Sequence, residues 1–315
     1  WFKKDTKDML MERPIPLYVG SGSPLSNVGT LTNQGIELEV GYKLSVDKVN
    51  LSFLANASYV KNEIKNLGNQ TGYIDKESLP TLGTVSRNQN GYPIGYFFGY
   101  KAIGVFQTQE EIDNYISPAT GKPIQPNAVP GDTKFEDLNG DGVISDDNED
   151  RTMIGKPNPD WIVGLTVAAD WNGFDLSAFF QGSFGADVFD ALRRYELAAV
   201  NYTSDALERW TGPGTSNSMP RIVLGDTPKN FRPSTLLVHD ASFLRLRNLQ
   251  VGYTLPAQLT RKAYIQRLRF YASFDNLLTI TGYKGMDPEI GSTMGIDKGV
   301  YPQARVYTFG LNLTF

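Results

Sequence analysis

Strict alternation of apolar and polar residues is the feature that most limits how this chain can fold. At the carboxyl terminus, Tyr307, Phe309, Leu311, Leu313 and Phe315 alternate with Thr308, Gly310, Asn312 and Thr314. Successive side chains of a β-strand point to opposite faces, whereas a helix would not separate these residues into two sets. The same alternation recurs at 36–43, 49–60, 161–168, 174–181 and 267–275. The sequence therefore predicts an all-β fold built from long strands.

The length of these segments and their terminal residues favour a membrane barrel over a soluble sheet. A strand of a globular sheet has ~5–6 residues, whereas a tilted strand that crosses a bilayer needs ~9–11. Aromatic residues lie near the strand ends, where a membrane barrel has its interfacial girdles. They are Tyr42, Tyr59, Trp161, Trp171, Tyr253, Tyr271, Tyr307 and Phe315. Within 242–255 the apolar residues change parity, which predicts a β-bulge near Asn248.

Short and long connections alternate along the chain. Tight turns are expected at 46–49 and 170–173, the second with an Asn-Gly pair that suits a type I′ hairpin, and a moderate turn at 256–265. Long polar connections separate them at 11–33, 62–160, 182–241 and 279–303. Outer-membrane barrels have short periplasmic turns and long outer loops. The strand-like segment 96–106 would break this alternation, so we assign it to a large loop at 63–160 and predict seven spanning strands plus the end of an eighth at 1–10.

Composition excludes several classes of function. The chain of 315 residues has no Cys, one His and a net charge of -4. Without Cys the chain can form no disulfide framework or thiolate metal centre, and with one His it can form no multi-histidine metal centre. Its negative net charge gives no basic surface for nucleic acid. Any His-assisted catalysis would depend on His239, and His239 and Asp240 point to opposite faces of an extended segment. We therefore predict no enzymatic activity, and we interpret Glu37 and Glu39 as residues of a water-filled lumen.

Several runs resemble one family of transporters. They are DASFLRLRNLQVGYTLP at 240–256, YASFDNLLTITGYKGMDP at 271–288, YPQARVYTFGLNLTF at 301–315, GDTKFEDLNGDGVI at 131–144 and IGKPNPD at 154–160. Together they are similar to the carboxyl-terminal part of SusC/RagA-type TonB-dependent outer-membrane transporters. Residues 1–315 would then form the last seven or eight strands of a transmembrane antiparallel barrel of about 22 strands.

The resemblance also implies a function and partners. It implies import of oligosaccharides or oligopeptides across the outer membrane of a Gram-negative bacterium of the Bacteroidota kind, with a SusD-type lipoprotein lid and energy transmitted by TonB. This chain has no counterpart of the amino-terminal plug or the TonB box, so we expect other residues to complete the barrel. The alternatives are a siderophore or cobalamin receptor and, in another class, a secreted calcium-stabilised β-sandwich that binds glycans.

A calcium-binding motif is the strongest local signal. Oxygen ligands at positions 1, 3, 5 and 7 of such a loop correspond to Asp137, Asn139, Asp141 and the Val143 carbonyl, with Gly142 at the sharp turn. The usual twelfth position is Asn148, so the last ligand would be Asp147 or Asp150. We predict a structural Ca²⁺ that braces the segment 131–160. The alternative is an acidic turn held by its own Asx hydrogen bonds.

Two further sets of residues carry weaker signals. Tyr92, Tyr96, Phe97 and Tyr100 could stack on sugar rings or line a peptide path, although packing within the large loop is their ordinary use. Tyr307, Phe309, Leu311, Leu313 and Phe315 are similar to the carboxyl-terminal signal by which outer-membrane barrels are recognised for assembly. A lipid-facing strand would carry the same pattern.

Overall fold

A single antiparallel sheet of eight long strands organises the chain. The computed structural model describes residues 1–12, 25–146, 149–290 and 294–315. The long strands are β1 (Phe2–Glu12), β2 (Leu25–Val46), β3 (Val49–Asn66), β4 (Trp161–Trp171), β5 (Phe174–Phe184), β6 (Phe243–Thr254), β7 (Arg267–Thr281) and β8 (Val306–Thr314). Each strand pairs with its neighbours in the sequence, so the sheet is an up-and-down meander. The predicted all-β barrel strands are confirmed. The sheet is not closed, because the outer edges of β1 and β8 have no partner strand among the described residues.

The register of the strands separates an apolar face from a polar face. One row across β2 to β7 contains Val40, Ala55, Leu165, Phe180, Leu246 and Leu278. The next row, on the other face, contains Glu39, Asn56, Gly164, Gln181, Arg245 and Thr279. Val40 and Leu278 are 53% and 52% exposed, so no other described part of the chain covers these positions of the apolar face. A continuous exposed apolar face opposite a polar one is the arrangement of a barrel wall between lipid and a water-filled lumen.

Aromatic rings mark both limits of the apolar face. At the end of the sheet with the short turns, Phe174 contacts Trp171 and Tyr253, with ring centroids 6.2 and 4.4 Å apart. At the other end Tyr59 contacts Trp161 at 5.1 Å. β4 has 11 residues, and at ~3.3 Å per residue and a tilt of ~40° its two tryptophans are about 25 Å apart in height. This height matches the apolar band of an outer-membrane barrel.

The connections follow the predicted alternation. Asp47 and Lys48 join β2 to β3, and Asn172 and Gly173 join β4 to β5 with φ angles of 47° and 86°, as a type I′ turn requires. The third connection at this end holds the α-helix Ala257–Thr260 and the 3₁₀ helix Arg261–Ala263. The expected bulge is also present, because the pairing of β6 shifts between Leu246 and Asn248. Of the connections at the opposite end, 13–24 lies outside the described residues.

The connections 67–160, 185–242 and 282–305 pack together, and we call their packed parts the loop layer. Their short strands are Tyr73–Asp75, Ser78–Leu79, Gly83–Thr84, Ser86–Gln89, Tyr96–Tyr100, Ala102–Val105, Thr133–Phe135, Arg151–Gly155, Asp187–Asp190, Val238–Asp240 and Ile296–Asp297. The helices are Gln109–Asp113 and the 3₁₀ turns Ser204–Glu208, Leu224–Asp226 and Thr235–Leu237. Phe97, Phe189 and Ile296, one residue from each connection, meet in one core. As predicted, 96–106 lies outside the eight-stranded sheet.

A glycine on the polar face accommodates an ion pair that crosses three strands. Asp175 of β5 accepts hydrogen bonds from Arg269 of β7, with Nε 2.9 Å from Oδ1, directly over Gly252 of β6. A Cβ at Gly252 would lie 2.5 Å from the guanidinium and 2.6 Å from the carboxylate.

Gly252→Ala is therefore expected to separate this pair and to destabilise the full-length barrel by ~1–3 kcal/mol, the usual effect of losing charged hydrogen bonds. The control is Gly41→Ala, which lies on the same face and whose Cβ would meet its nearest neighbour at an ordinary 3.7 Å. Denaturant unfolding of the full-length protein in lipid vesicles measures both changes. Equal stability of the two variants would contradict the steric argument.

Candidate functional site

A network of charged side chains connects the sheet to the connection 282–305. Arg245 of β6 is 2% exposed and donates to Asp287 at 2.6 Å, Glu289 at 2.9 Å and Thr279 at 2.8 Å. The bulge before Asn248 brings Arg247 to the same partner, and its Nη2 lies 2.6 Å from Glu289 Oε1. Two arginines of one strand therefore hold two carboxylates of the connection over the polar face of the sheet.

Asp287 is further oriented by backbone donors. Its two carboxylate oxygens accept hydrogen bonds from the N–H groups of Glu289 and Gln303, each at 2.9 Å. Burial opposes ionisation, but these N–H groups and the Arg245 guanidinium outweigh it and hold the pKa of Asp287 below its usual range. The carboxylate is therefore ionised at neutral pH and keeps the 282–305 connection near the end of the polar face.

The predicted calcium loop is folded around its own carboxylates. Asp137 accepts from the N–H groups of Gly140 and Gly142 at 2.8 and 2.9 Å, and Asp141 accepts from that of Val143 at 2.8 Å. Asp150 is fully buried and accepts from the backbone of Leu138 and Ser145, and no lysine or arginine among the described residues pairs with it. Gly142 has a φ of 88° and lies against Ser117, which leaves no room for a Cβ.

These contacts are compatible with both interpretations of the loop. Backbone donors to the carboxylates are what an Asx-rich turn needs, whereas a buried carboxylate without a cationic partner is typical of a cation site. In the part of the chain that the structure describes, no three His, Asp or Glu side chains form a group that could hold a metal. The predicted set also uses the Asn139 amide oxygen and the Val143 carbonyl, and Asp147 lies outside the described residues. The calcium site stays a prediction.

The aromatic candidates for substrate contact lie mostly inside the loop layer. Tyr96, Phe97 and Tyr100 are 1%, 0% and 4% exposed, and the Tyr96 hydroxyl donates to Gln89 at 2.6 Å. Tyr92 stacks on Tyr96 with centroids 5.0 Å apart. Burial favours the packing interpretation for the three enclosed rings. A contact with substrate through Tyr92 stays a prediction.

A column of alternating arginines and aromatic rings crosses the loop layer. In order it contains Tyr73, Arg87, Phe98, Arg151, Tyr100, Arg232 and Phe135, and we call it the Arg–aromatic column. The guanidinium carbon is 4.0 and 3.6 Å from the ring centroids for Arg87, 4.3 and 5.7 Å for Arg151, and 4.8 and 4.9 Å for Arg232. Contacts of this kind stabilise by ~0.5–2 kcal/mol each. This column could not be expected from the sequence, because its members come from distant segments and share no local spacing.

The groups considered for catalysis do not assemble a reactive site. His239 lies 3.7 Å from Asp190 through Nε2, while Asp240 accepts from the backbone N–H of Ser242 at 2.8 Å. The Ser242 hydroxyl accepts from Gly185 N at 3.1 Å. Glu37 and Glu39 lie on the polar face of β2 opposite Ser58 and Asn56. The contacts of His239, Asp240 and Ser242 are structural, and the two glutamates occupy the face expected of a lumen.

The carboxyl-terminal residues lie on the apolar face of β8. Tyr307, Phe309, Leu311, Leu313 and Phe315 are 40–77% exposed, and Phe309 pairs with Ala272 of β7. Their use as an assembly signal stays a prediction. Within the described residues, no helix has the length and apolar character needed to cross a membrane.

Known proteins match the chain over nearly its whole length. Residues 1–277 match the family described as TonB dependent receptor-like, beta-barrel. TonB-dependent receptor P3 of Formosa agariphila is 33% identical over 326 residues, covering 98% of this chain and 31% of that protein. TonB-dependent receptor SusC of Bacteroides thetaiotaomicron is 30% identical over 322 residues, covering 100% of this chain and 29% of that protein.

A solved structure gives the same result for the fold. The structure described as that of the RagAB peptide transporter superposes with a TM-score of 0.77 at 28% identity, covering 99% of this chain and 32% of that chain. The chain thus spans about a third of the length of the relatives that it matches.

Proposed function

The chain belongs to the TonB-dependent receptor-like β-barrel family, with SusC and RagA-like relatives in Bacteroidota, and we propose that the full-length protein imports oligosaccharides or oligopeptides across the outer membrane. The observation that carries this proposal is the meander with one continuous exposed apolar face and one polar face. In the bilayer of a Gram-negative outer membrane this part of the chain would supply barrel wall and outer loops. TonB would act through the remainder of the protein.

The loop layer is the part of this chain best placed to meet a second protein. The resemblance to SusC/RagA-type transporters implies a SusD-like lipoprotein as the partner, and the RagAB structure is described as that of a peptide transporter. The three long connections form one packed body at one end of the sheet, which gives a partner a shaped surface rather than separate flexible loops. We therefore propose a SusD-type lipoprotein as the lid of this transporter.

The alternatives differ in their substrate or in their fold. A siderophore or cobalamin receptor has the same kind of barrel, but a lipoprotein gene beside the transporter gene would favour the oligomer importer. The β-sandwich alternative needs two packed sheets around a core. Here the eight long strands form one sheet with its apolar face exposed, so that alternative is wrong.

Uptake in cells tests the proposal. A strain with the full-length gene is expected to accumulate labelled oligosaccharides or oligopeptides, and a strain without the gene is not. Accumulation should stop when a protonophore collapses the proton gradient across the inner membrane. Deletion of an adjacent lipoprotein gene should lower uptake of the oligomer and leave uptake of ferric siderophore and cobalamin unchanged. Loss of siderophore or cobalamin uptake alone in the transporter deletion would replace this proposal with the alternative.

The family is one of transporters and receptors, and we propose that this chain performs no catalysis. On this proposal, the polar groups of the sheet serve structure and transport. They hold connections in place and line the lumen.

We also propose that Ca²⁺ binds the segment 131–160, through Asp137, Asn139, Asp141, the Val143 carbonyl and either Asp147 or Asp150. Asp150 is buried, and its hydrogen-bond donors among the described residues are backbone N–H groups, which supports a nearby cation. The ion would supply no chemistry beyond bracing the loop.

Terbium luminescence tests the calcium site, because Tb³⁺ replaces Ca²⁺ and accepts energy from nearby tyrosines. The full-length protein is expected to bind Tb³⁺, and Asp141→Asn should weaken binding at least tenfold, since a Ca²⁺ site depends on the charge of its ligands. Asp113→Asn, a change of an exposed carboxylate in the helix Gln109–Asp113, is the control. Equal binding by both variants would leave only the acidic-turn interpretation.

A further inference from the structure

A polar cleft of about 520 Å³ lies in the loop layer between the connections 67–160 and 185–242. Both signs of charge line it, from Asp146, Arg151, Glu196, Asp226, Lys229 and Arg232. The Arg–aromatic column forms one wall, because Tyr100, Arg151 and Arg232 belong to both.

Arg232 is held in a defined plane at the edge of the cleft. Its guanidinium carbon is 4.8 Å from the Tyr100 ring and 4.9 Å from the Phe135 ring, and its Nε donates to the Lys229 carbonyl at 3.1 Å. The side chain is 14% exposed. Because the stack leaves little rotational freedom, its terminal nitrogens have a fixed direction before any ligand binds.

The internal acceptor offered to Arg232 is poorly placed. The Asp146 carboxylate lies 3.8 Å from its Nη1, which is beyond hydrogen-bond range, and the buried Nη1 has no acceptor among the described residues. A buried donor without an acceptor destabilises the folded protein, so a ligand that supplies the acceptor is favoured. Asp146 itself is 66% exposed and also contacts Lys229, so it can leave both cations without unfolding its surroundings.

The other carboxylates of the cleft are already committed. Glu196 pairs with Arg194 and accepts from Thr81 at 3.1 Å. Asp226 accepts from the backbone of Asn230 at 2.9 Å and Phe231 at 2.8 Å, and burial raises its pKa to about 6. Neither side chain is an acceptor for Arg232, so the cationic edge lacks a well-fitting anion.

We propose that this cleft recognises a carboxylate on the imported oligomer, which displaces Asp146 and binds Arg232 and Lys229. A planar guanidinium matches a carboxylate through two parallel hydrogen bonds, and the Lys229 ammonium adds a point charge. The inference rests on the proposed import of oligomers and names the group selected. That group is a uronate in an oligosaccharide, or an acidic side chain or carboxyl terminus in an oligopeptide.

Calorimetric titration of the full-length transporter, copurified with its lipoprotein in detergent, tests this inference. The probes are trigalacturonate against its methyl ester, and triglutamate amide against triglutamine amide. The wild-type protein is expected to prefer the carboxylate member of one pair at least tenfold, and the preferred pair identifies the source. Arg232→Gln should remove that preference. Asp146→Asn should strengthen binding of the carboxylate member severalfold, because it removes the internal competitor.

The controls distinguish a change in carboxylate recognition from a general disturbance of the structure. Lys122→Gln, an exposed lysine away from the cleft, should leave both affinities unchanged. Asp146 is exposed, so Asp146→Asn should not disturb the surrounding packing. Its effect on carboxylate binding therefore tests the inference even if Arg232→Gln perturbs the Arg–aromatic column. The inference is overturned if the wild-type protein shows no preference for the carboxylate probe in either pair, or if Asp146→Asn leaves that preference unchanged. Uptake of neutral oligomers in the cell assay would then still support the proposed importer, whereas absence of all oligomer uptake would overturn the proposed function itself.

Discussion

Leu165→Arg is expected to destabilise the full-length barrel by ~2–4 kcal/mol, the cost of a cation near the middle of the lipid-facing surface. Leu165 lies on the apolar face of β4, between the tryptophans Trp161 and Trp171, and its register partners are Ala55 and Phe180. None of these neighbours accepts a hydrogen bond through its side chain. The guanidinium must therefore either remain in hydrocarbon or extend along the strand toward an interface.

The adjacent position supplies a matched control. Thr166→Arg introduces the same side chain on the polar face of the same strand, where water can solvate it. Its expected effect is below ~1 kcal/mol, typical of a solvated substitution. Guanidinium titrations of both variants in lipid vesicles, together with their amounts in the outer membrane, measure the difference. Equal effects at the two positions would mean that lipid does not cover the apolar face.

The strands could be predicted from the sequence because each carries its evidence locally. Alternation at 49–60, 161–168 and 174–181 identifies the face on which each residue lies. A shift of the strand pairing by one residue would turn all of the apolar side chains toward the lumen. The bulge near Asn248 was predictable for the same reason, since the parity of apolar residues changes there. The amino-terminal strand was only partly predictable, and β1 extends to Glu12 rather than ending near residue 10.

The loop layer and the cleft could not be predicted because their contacts connect distant segments. The sequence around Thr133 has no pattern that indicates its partner. In the structure its N–H donates to the side chain of Asn230 at 2.8 Å. Arg232 stacks on Tyr100 and Phe135 across about a hundred residues or more. The Arg245 network had only a partial signal in the sequence, because an arginine on the polar face of a barrel strand needs an anionic partner when it is buried but not when lumen water solvates it. The sequence did not indicate that this partner would come from Asp287 and Glu289.

Arg245→Ala is expected to release the connection 282–305 and to cost ~3–5 kcal/mol, because removing one member of a buried ion pair leaves the others unpaired. Arg245 is 2% exposed, and Asp287, 6% exposed, would lose the guanidinium. Trypsin cleavage after Lys284, which is 66% exposed, reports the release of this segment. The rate should rise in Arg245→Ala and not in Arg305→Ala, which changes an exposed arginine at the end of this connection, immediately before β8. Equal rates would mean that other contacts hold the segment.

A double-mutant cycle and the pH dependence identify the contact responsible. Because Arg245 and Asp287 share one network, Arg245→Met and Asp287→Asn together should cost less than the sum of the single changes, by ~0.5–3 kcal/mol. The pKa of Asp287 is lowered in the folded protein, so its contribution is present above the ordinary carboxyl range and is lost as pH falls through the lowered value. Cleavage after Lys284 in the wild-type protein, corrected for the pH dependence of trypsin, should therefore stay slow at neutral pH and accelerate only below about pH 4. In Arg245→Met this transition should move to higher pH, because the carboxylate has lost the cation that favours its charged form.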